Sequence, residues 1–396
     1  MDHGAPDTAD PAVVARPRIA LVSSSYAPYV GGVEEHVRQV ARQLKSDGVD
    51  VEVWTVDRGE SLGIRDVEGV TVRYLPTPLP AASPGAVLRF LLRLPSAWRR
   101  WADARRRFEP DLVHVQCFGP NGVYALAIGR RFKLPLIVTS HGETVADDHA
   151  VFSRSALLRF ALRRALAAAT AVTAPSQFVI DDLRASHGLI GGTVVPNGVD
   201  LETPDDPEGA PEGRYLLGVG RLGHMKGFDL LIDAFARAEL ARDIRLVIAG
   251  DGPERDRLQA AAEQLGLGDR VEFAGRLDAA AVAGAMSVAL AVVVPSRMEA
   301  FGIVALEAWR SGAPLVMTNR GGASEFVRDG VDAILVDPED PVALGSALSR
   351  VSADERFRVQ LAAAGRTRVG EFTWVRVARA YEELYAAIPL RDGAAA

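Results

Sequence analysis

Two glutamates, Glu299 and Glu307, stand with seven residues between them in the stretch Ser296-Arg-Met-Glu-Ala-Phe-Gly-Ile-Val-Ala-Leu-Glu-Ala308. Glu299 follows an apolar, strand-like run, and Gly302–Trp309 reads as the opening of a helix. The free amides of Gly302, Ile303 and Val304 then form an anion site at that helix's N-terminus. Glu307 lies about one and a half turns further in, so the two carboxylates reach out at different heights. Each can accept two hydroxyl hydrogen bonds, which suits a sugar and a ribose on either side of a diphosphate. The alternative, two solvated helix glutamates, fits poorly with Glu299 placed among Met298, Ala300 and Phe301.

Cations complete that pattern. Arg221 and Lys226 flank a glycine-containing loop after the strand-like run Tyr215–Val219. A guanidinium fork and an ammonium point charge there would straddle a diphosphate and offset charge growing on it as a leaving group. The same loop holds Gly218-Val-Gly-Arg-Leu-Gly223, formally a dinucleotide fingerprint. That reading wants an acid about 20 residues on, at the end of the second strand. Glu239 falls before that strand and Asp251 comes too late, so NAD is disfavoured. In the first half, Gly31-Gly32 sits where a strand turns into a helix and lets a phosphate or sugar approach the backbone; a plain tight turn explains the pair equally well. His141 follows a strand and precedes Gly142-Glu143, at a carboxyl end where sites form.

The elements that must position these residues follow from periodicity. Strands are expected at Arg18–Ser25, Val51–Val56, Leu112–Gln116, Ile137–Ser140, Ala171–Ala174 and Val194–Val195. A helix with Val33, Val37, Val40, Ala41 and Leu44 on one stripe follows the first. Asn197–Arg214, with Pro204, Pro207 and Pro211 among acids, has linker composition. Strand and helix signals then restart at Tyr215–Val219, Arg245–Ala249, Val271–Phe273, Leu290–Val294, Leu315–Met317 and Ala333–Val336, and Trp374–Ile388 reads as a closing helix. Short apolar strands separated by helical spacers mean parallel sheets covered on both faces, an α/β class. Two such sheets facing each other would form a deep cleft at the carboxyl ends of their strands.

Bulk properties agree. A chain of 396 residues is too long for one ordinary core. Residues 1–200 carry 23 Lys/Arg against 21 Asp/Glu and residues 201–396 carry 22 against 30, a balance of +2 and −8 within the overall −6. An acidic second half argues against nucleic-acid binding. The polar start lacks the apolar segment of a signal peptide, and no apolar run approaches the roughly 20 residues needed to span a bilayer. The single cysteine, Cys117, excludes an internal disulfide and is expected inside a buried strand. The protein is expected to be cytoplasmic. Arg89–Arg107, basic and containing Trp98 and Trp101, suits peripheral contact with an anionic membrane face, or else a solvated helix with its tryptophans in the core.

Over about residues 18–388 the chain resembles the retaining glycosyltransferases of family 4, which have the two-domain GT-B fold. The Glu-x7-Glu element carries the resemblance, with Arg221…Lys226, Gly250-Asp-Gly-Pro253, Val271-Glu-Phe-Ala-Gly-Arg-Leu277 and Pro196-Asn-Gly-Val-Asp200 in support. It implies a tail at 1–16, an N-terminal acceptor domain at 17–198, a nucleotide-sugar domain at 199–374, and a helix at 375–390 crossing back to the first domain. It implies that Arg221, Lys226, Gly32 and the amides of Gly302, Ile303 and Val304 hold the donor diphosphate. Glu299 would bind the donor sugar, Glu307 the ribose, and Arg276 with Leu277 the nucleobase. His141 would stand beside the reacting carbon, and Gly31 would face the acceptor. The implied partners are a UDP- or GDP-linked sugar and a glycan, lipid-linked or small-molecule acceptor, with no cofactor and no metal.

Glu143, Asp147, Asp148 and His149 form an acidic cluster without a family counterpart. Glu143 and Asp148 are assigned to acceptor hydroxyls, a metal being the alternative. Competing functions are a glycoside hydrolase using both glutamates, a nucleotide-sugar epimerase on the same fold, an NAD-dependent dehydrogenase, and a non-catalytic binding protein.

Overall fold

The computed structural model describes residues 17–81, 83–146, 151–203 and 206–389. Asp147, Asp148 and His149 of the acidic cluster lie outside them.

The first eight strands are β1 (Ile19–Ser23), β2 (Val51–Val56), β3 (Ile64–Val67), β4 (Val70–Leu75), β5 (Leu112–Gln116), β6 (Leu136–Thr139), β7 (Ala171–Ala174) and β8 (Thr193–Val194). They form one sheet in the order β3-β4-β2-β1-β5-β6-β7-β8, parallel except for the β3–β4 pair. β1 and β5 are buried at every position, as strands covered on both faces must be. One face packs on the helices Pro84–Phe108, Pro120–Phe132, Ala156–Ala168 and Gln177–His187. The other packs on the helix Gly32–Ser46 and on the last helix, Trp374–Ala386, whose Trp374, Val377, Tyr381 and Tyr385 are buried in the first sheet's core.

The remaining strands, β9 (Arg214–Val219), β10 (Ile244–Ala249), β11 (Val271–Gly275), β12 (Ala291–Val294), β13 (Leu315–Thr318) and β14 (Ile334–Val336), form a fully parallel sheet in the order β11-β10-β9-β12-β13-β14. Strand order reverses between β1 and β5 in one sheet and between β9 and β12 in the other. Ligands of open α/β sheets sit outside the carboxyl ends of strands at such points. The two crossings between the sheets run side by side. Val199 N–H donates to Phe372 O at 3.0 Å, and a side chain at Gly198 would lie 2.6 Å from the Trp374 amide nitrogen.

Two features depart from the sequence expectations. The β3–β4 hairpin escaped notice because β3 is mostly exposed and carries Arg65 and Asp66, leaving no buried alternation to read. Its turn, Glu68-Gly69, places both residues at positive φ, the backbone a two-residue hairpin loop requires. Cys117 lies beyond β5 rather than within it, half-buried at φ 60°, because the chain turns sharply there toward the next helix.

Candidate active site

At the end of β12 the chain leaves the sheet as a loop, and Glu299 is pinned in it by backbone bonds: its N–H donates to Arg320 O, and its carbonyl accepts from Gly322 N–H at 2.9 Å. The side chain is buried, with Oε2 accepting from Lys226 Nζ at 2.7 Å and from Ser296 Oγ at 2.8 Å. No described protein group donates to Oε1. Gly302 follows in the left-handed region, φ 96°, where a Cβ would meet Met317 Cε at 2.6 Å. Glycine is therefore required at this turn by both strain and space. The helix Ile303–Arg310 begins there with no side-chain cap, so its first amides remain available to an anion.

Glu307 lies inside the same helix. None of the described residues donates a hydrogen bond to its carboxylate, and burial pushes its pKa up, with Arg310 opposing. A partly enclosed acceptor without donors is suited to ligand hydroxyls. Arg221 is exposed at the end of β9, and Lys226 closes the 3-10 turn His224–Lys226 that follows. Arg276 and Leu277 follow β11; Arg276 is exposed, and Leu277 packs against the edge of the second domain's core.

The first domain faces this loop directly. Gly32, at the start of the first helix, has the Ile303 side chain 3.9 Å from where its Cβ would stand. Gly31 is extended and solvent-exposed beside it. Gly142, φ 90°, leaves room for Ala300, whose Cβ would be 2.4 Å from a side chain there. The loop bearing His141 thus touches the loop bearing Glu299. Two side chains that the sequence reading passed over tie the domains together. Ser176 leaves its own helix uncapped and donates to Ala300 O at 2.6 Å. Glu325 of the second domain accepts from the amides of Gln177 and Phe178 at 2.6 and 2.7 Å, serving as that helix's cap from across the cleft.

Glu143 has three donors inside the protein. Its Oε1 accepts from Phe118 N–H at 2.7 Å, and its Oε2 accepts from Ser140 Oγ and His141 N–H at 2.9 and 2.7 Å. It clamps the loop after β6 to the loop after β5. Among the described residues, no cluster of three or more His, Cys, Asp or Glu side chains is arranged to hold a metal.

His141 belongs to a polar network between the first sheet and the last helix. Its Nε2 lies 2.8 Å from Gln116 Oε1, and its ring meets His36 edge-on at 4.6 Å. His36 is buried between Asn197 and the Tyr381 hydroxyl, and His114 between the Tyr385 hydroxyl and Thr139. Burial lowers the pKa of His36 to about 4, against its bond to Asn197, and that of His114 to about 3, with His36 adding to the effect. Both are neutral in the folded protein near neutral pH. Because the folded values lie below the unfolded one, the associated stability is fully present above about pH 6.5 and is lost as pH falls through about 4 and about 3. The melting temperature is expected to fall as pH is lowered from 6.5 toward 4, and less steeply in His114→Gln. Parallel melting curves for the two proteins over that range would remove His114 from the account.

Comparison with known proteins agrees with this architecture. Residues 202–368 match the model of glycosyl transferases group 1, and residues 30–203 match that of Glycosyltransferase Family 4. The chain is similar to the 2-deoxystreptamine N-acetyl-D-glucosaminyltransferase of Streptomyces fradiae, 32% identical over 93% of each chain. It is also similar to the D-inositol 3-phosphate glycosyltransferase of Stackebrandtia nassauensis, 30% identical over 91% of this chain and 89% of that one. Among solved structures, sucrose-phosphate synthase from Thermosynechococcus elongatus superposes with a TM-score of 0.79, 26% identity, and coverage of 94% of this chain and 100% of that one. Anabaena HepE in complex with UDP shares the fold at a TM-score of 0.76 and 22% identity, with the same coverage. With both halves matched in sequence and both sheets matched in space, the chain belongs to the group 1, family 4 glycosyltransferases, enzymes of the GT-B fold.

Proposed function

We propose that this glycosyltransferase moves a sugar from a UDP- or GDP-linked donor to an acceptor hydroxyl with retention of anomeric configuration and without a metal ion. One observation carries the reading: the uncapped N-terminus of Ile303–Arg310 lies between Glu299, paired with Lys226, and Glu307, which has no donor among the described residues. The free amides suit a diphosphate, with Lys226 and Arg221 as its cationic partners. Glu299 Oε1 and the Glu307 carboxylate suit hydroxyls on the two groups the diphosphate joins. The pairing of HepE with UDP and with UDP-glucose makes the uridine donor the first to test. The names of the sequence relatives favour a compact polyhydroxylated acceptor, such as an aminocyclitol or an inositol phosphate.

A panel of UDP- and GDP-sugars, each incubated with and without acceptor mixtures, tests the assignment through release of free nucleotide. Acceptor-dependent release is expected, and release that ignores the acceptor would instead mark a hydrolase. The amides, Lys226 and Arg221 supply the positive field that a divalent ion provides elsewhere. Turnover is therefore expected to persist in excess EDTA; complete loss restored by added Mg2+ or Mn2+ would overturn the metal-independent reading.

We also infer contact with an anionic membrane face on the cytoplasmic side. No helix among the described residues is long and apolar enough to cross a membrane. The first turns of Pro84–Phe108 nevertheless leave Leu88, Leu91 and Leu92 exposed by 59, 55 and 72% beside Arg89 and Arg93, and no acid occurs from 84 to 102. Apolar side chains among arginines favour anionic headgroups. Co-sedimentation with phosphatidylglycerol vesicles but not with phosphatidylcholine vesicles is expected, and reduced for Leu92→Asp; equal behaviour with both lipids would defeat the inference.

A further inference from the structure

Along β5 the sequence Leu-Val-His-Val-Gln alternates, so His114 and Gln116 point to the face that also carries Tyr381 and Tyr385 of the last helix. Thr139 and Thr173 meet them from β6 and β7. All four strand side chains are buried, so each polar atom must find a partner inside the protein.

The hydrogen-bond directions follow one after another. Gln116 Oε1 can only accept, so the 2.8 Å contact places a proton on His141 Nε2. Gln116 Nε2 can only donate, so at 3.2 Å His114 Nε2 is an acceptor. Thr139 Oγ1 donates to that same nitrogen at 2.7 Å and accepts from Thr173 Oγ1 at 2.6 Å. His114 must then carry its proton on Nδ1, where the Tyr385 hydroxyl oxygen accepts at 2.7 Å. The bonds are coupled: turning the Gln116 amide over would reverse all of them together and move the proton of each histidine to its other nitrogen. The groups facing His141 are His36 from the first helix, Gln116 and His114 from β5, and Glu143 through the backbone of its own loop. Among the described residues, no carboxylate contacts its ring.

We propose that Gln116 is a positioning residue: its amide, oriented by His114 and through it by Tyr385 of the last helix, holds His141 as the Nε2–H tautomer and leaves Nδ1 as the ring's hydrogen-bond acceptor. The helix that crosses back from the donor domain thus sets the chemical form of a histidine at the cleft. The catalytic consequence rests on His141 acting beside the reacting carbon, whereas the tautomer itself does not.

The test is 15N NMR of the full chain labelled at histidine, with the His141 resonances identified by their loss in His141→Ala. A protonated Nε2 and an unprotonated Nδ1 are expected in the wild type. Gln116→Leu is expected to move both shifts toward an averaged tautomer mixture. It should also lower kcat roughly 10- to 100-fold, with less than a twofold change in the donor KM, as expected for a misaligned group that does not bind substrate. Gln116→Glu restores an acceptor at Nε2–H, so it should return the wild-type tautomer and part of kcat. It should also add a titration to the pH profile, because a carboxylate favours the imidazolium; a structural role alone would not produce that. A wild-type His141 protonated on Nδ1, or unchanged His141 shifts in a folded Gln116→Leu, would overturn the proposal. If His141→Ala turns over like the wild type, the catalytic reading of His141 fails, and the NMR result still decides the tautomer.

Discussion

Glu299→Gln is expected to reduce transfer by roughly 100- to 1,000-fold, the range seen when one preorganised transition-state contact is removed. The two oxygens of Glu299 have different partners: Oε2 holds Lys226 and Ser296, while Oε1 has no donor among the described residues. Glutamine keeps the shape and one acceptor, which Lys226 and Ser296 will claim. An NH2 group then stands where Oε1 was and cannot accept from a sugar hydroxyl. Lys226 also loses the charge that holds it beside the diphosphate site. The loop itself should survive, because the backbone of residue 299 is fixed through Arg320 and Gly322 and not through the carboxylate. A folded variant with a wild-type melting temperature and much reduced kcat/KM is therefore expected, and near wild-type turnover would take Glu299 out of the mechanism.

The second domain's part of the candidate site was legible in the sequence because its geometry is local. Seven residues separate Glu299 from Glu307, and a strand end followed by a helix start brings both to one loop and helix. Arg221 and Lys226 likewise belong to one short loop. The first domain's part has no such signature. His36, Gln116, Asn197, Tyr381 and His141 meet across 345 positions of chain between His36 and Tyr381, so no spacing rule brings them together. The available signal was subtler: His114 and Gln116 are polar residues alternating in an otherwise apolar central strand, which asks for buried partners. Ser176 and Glu325 were illegible for a related reason. Each looks like an ordinary surface residue within its own domain, and their roles exist only across the cleft. The structural part of Glu143 was illegible because one of its three donors, Phe118, lies 25 residues away in another loop.

His141→Ala bears on the stereochemical course. A double displacement with retention needs a carboxylate nucleophile on the face of the sugar opposite the departing diphosphate. The carboxylate nearest His141 in sequence, Glu143, accepts through one oxygen from Phe118 N–H in the loop after β5 and through the other from Ser140 and His141. Glu299 is held by Lys226 and Ser296 on the donor side. His141 is half-buried, and desolvation lowers its pKa well below the ordinary value, so in the proposed mechanism it acts near the anomeric carbon as a neutral hydrogen-bonding group instead of as a cation. The course proposed here is therefore a front-face path in which a diphosphate oxygen would take the acceptor's proton as the glycosidic bond breaks. On that proposal the amides at Gly302–Val304, with Arg221 and Lys226, would stabilise the charge that grows on the leaving group. His141→Ala is expected to lower kcat by roughly 100-fold or more, the scale of a lost positioning contact, and to trap no covalent sugar detectable by intact-protein mass spectrometry. The product first formed by the wild type should keep the donor's anomeric configuration by 1H NMR. An inverted centre would defeat the mechanism, and a glycosylated enzyme would instead call for a carboxylate nucleophile and overturn the front-face path.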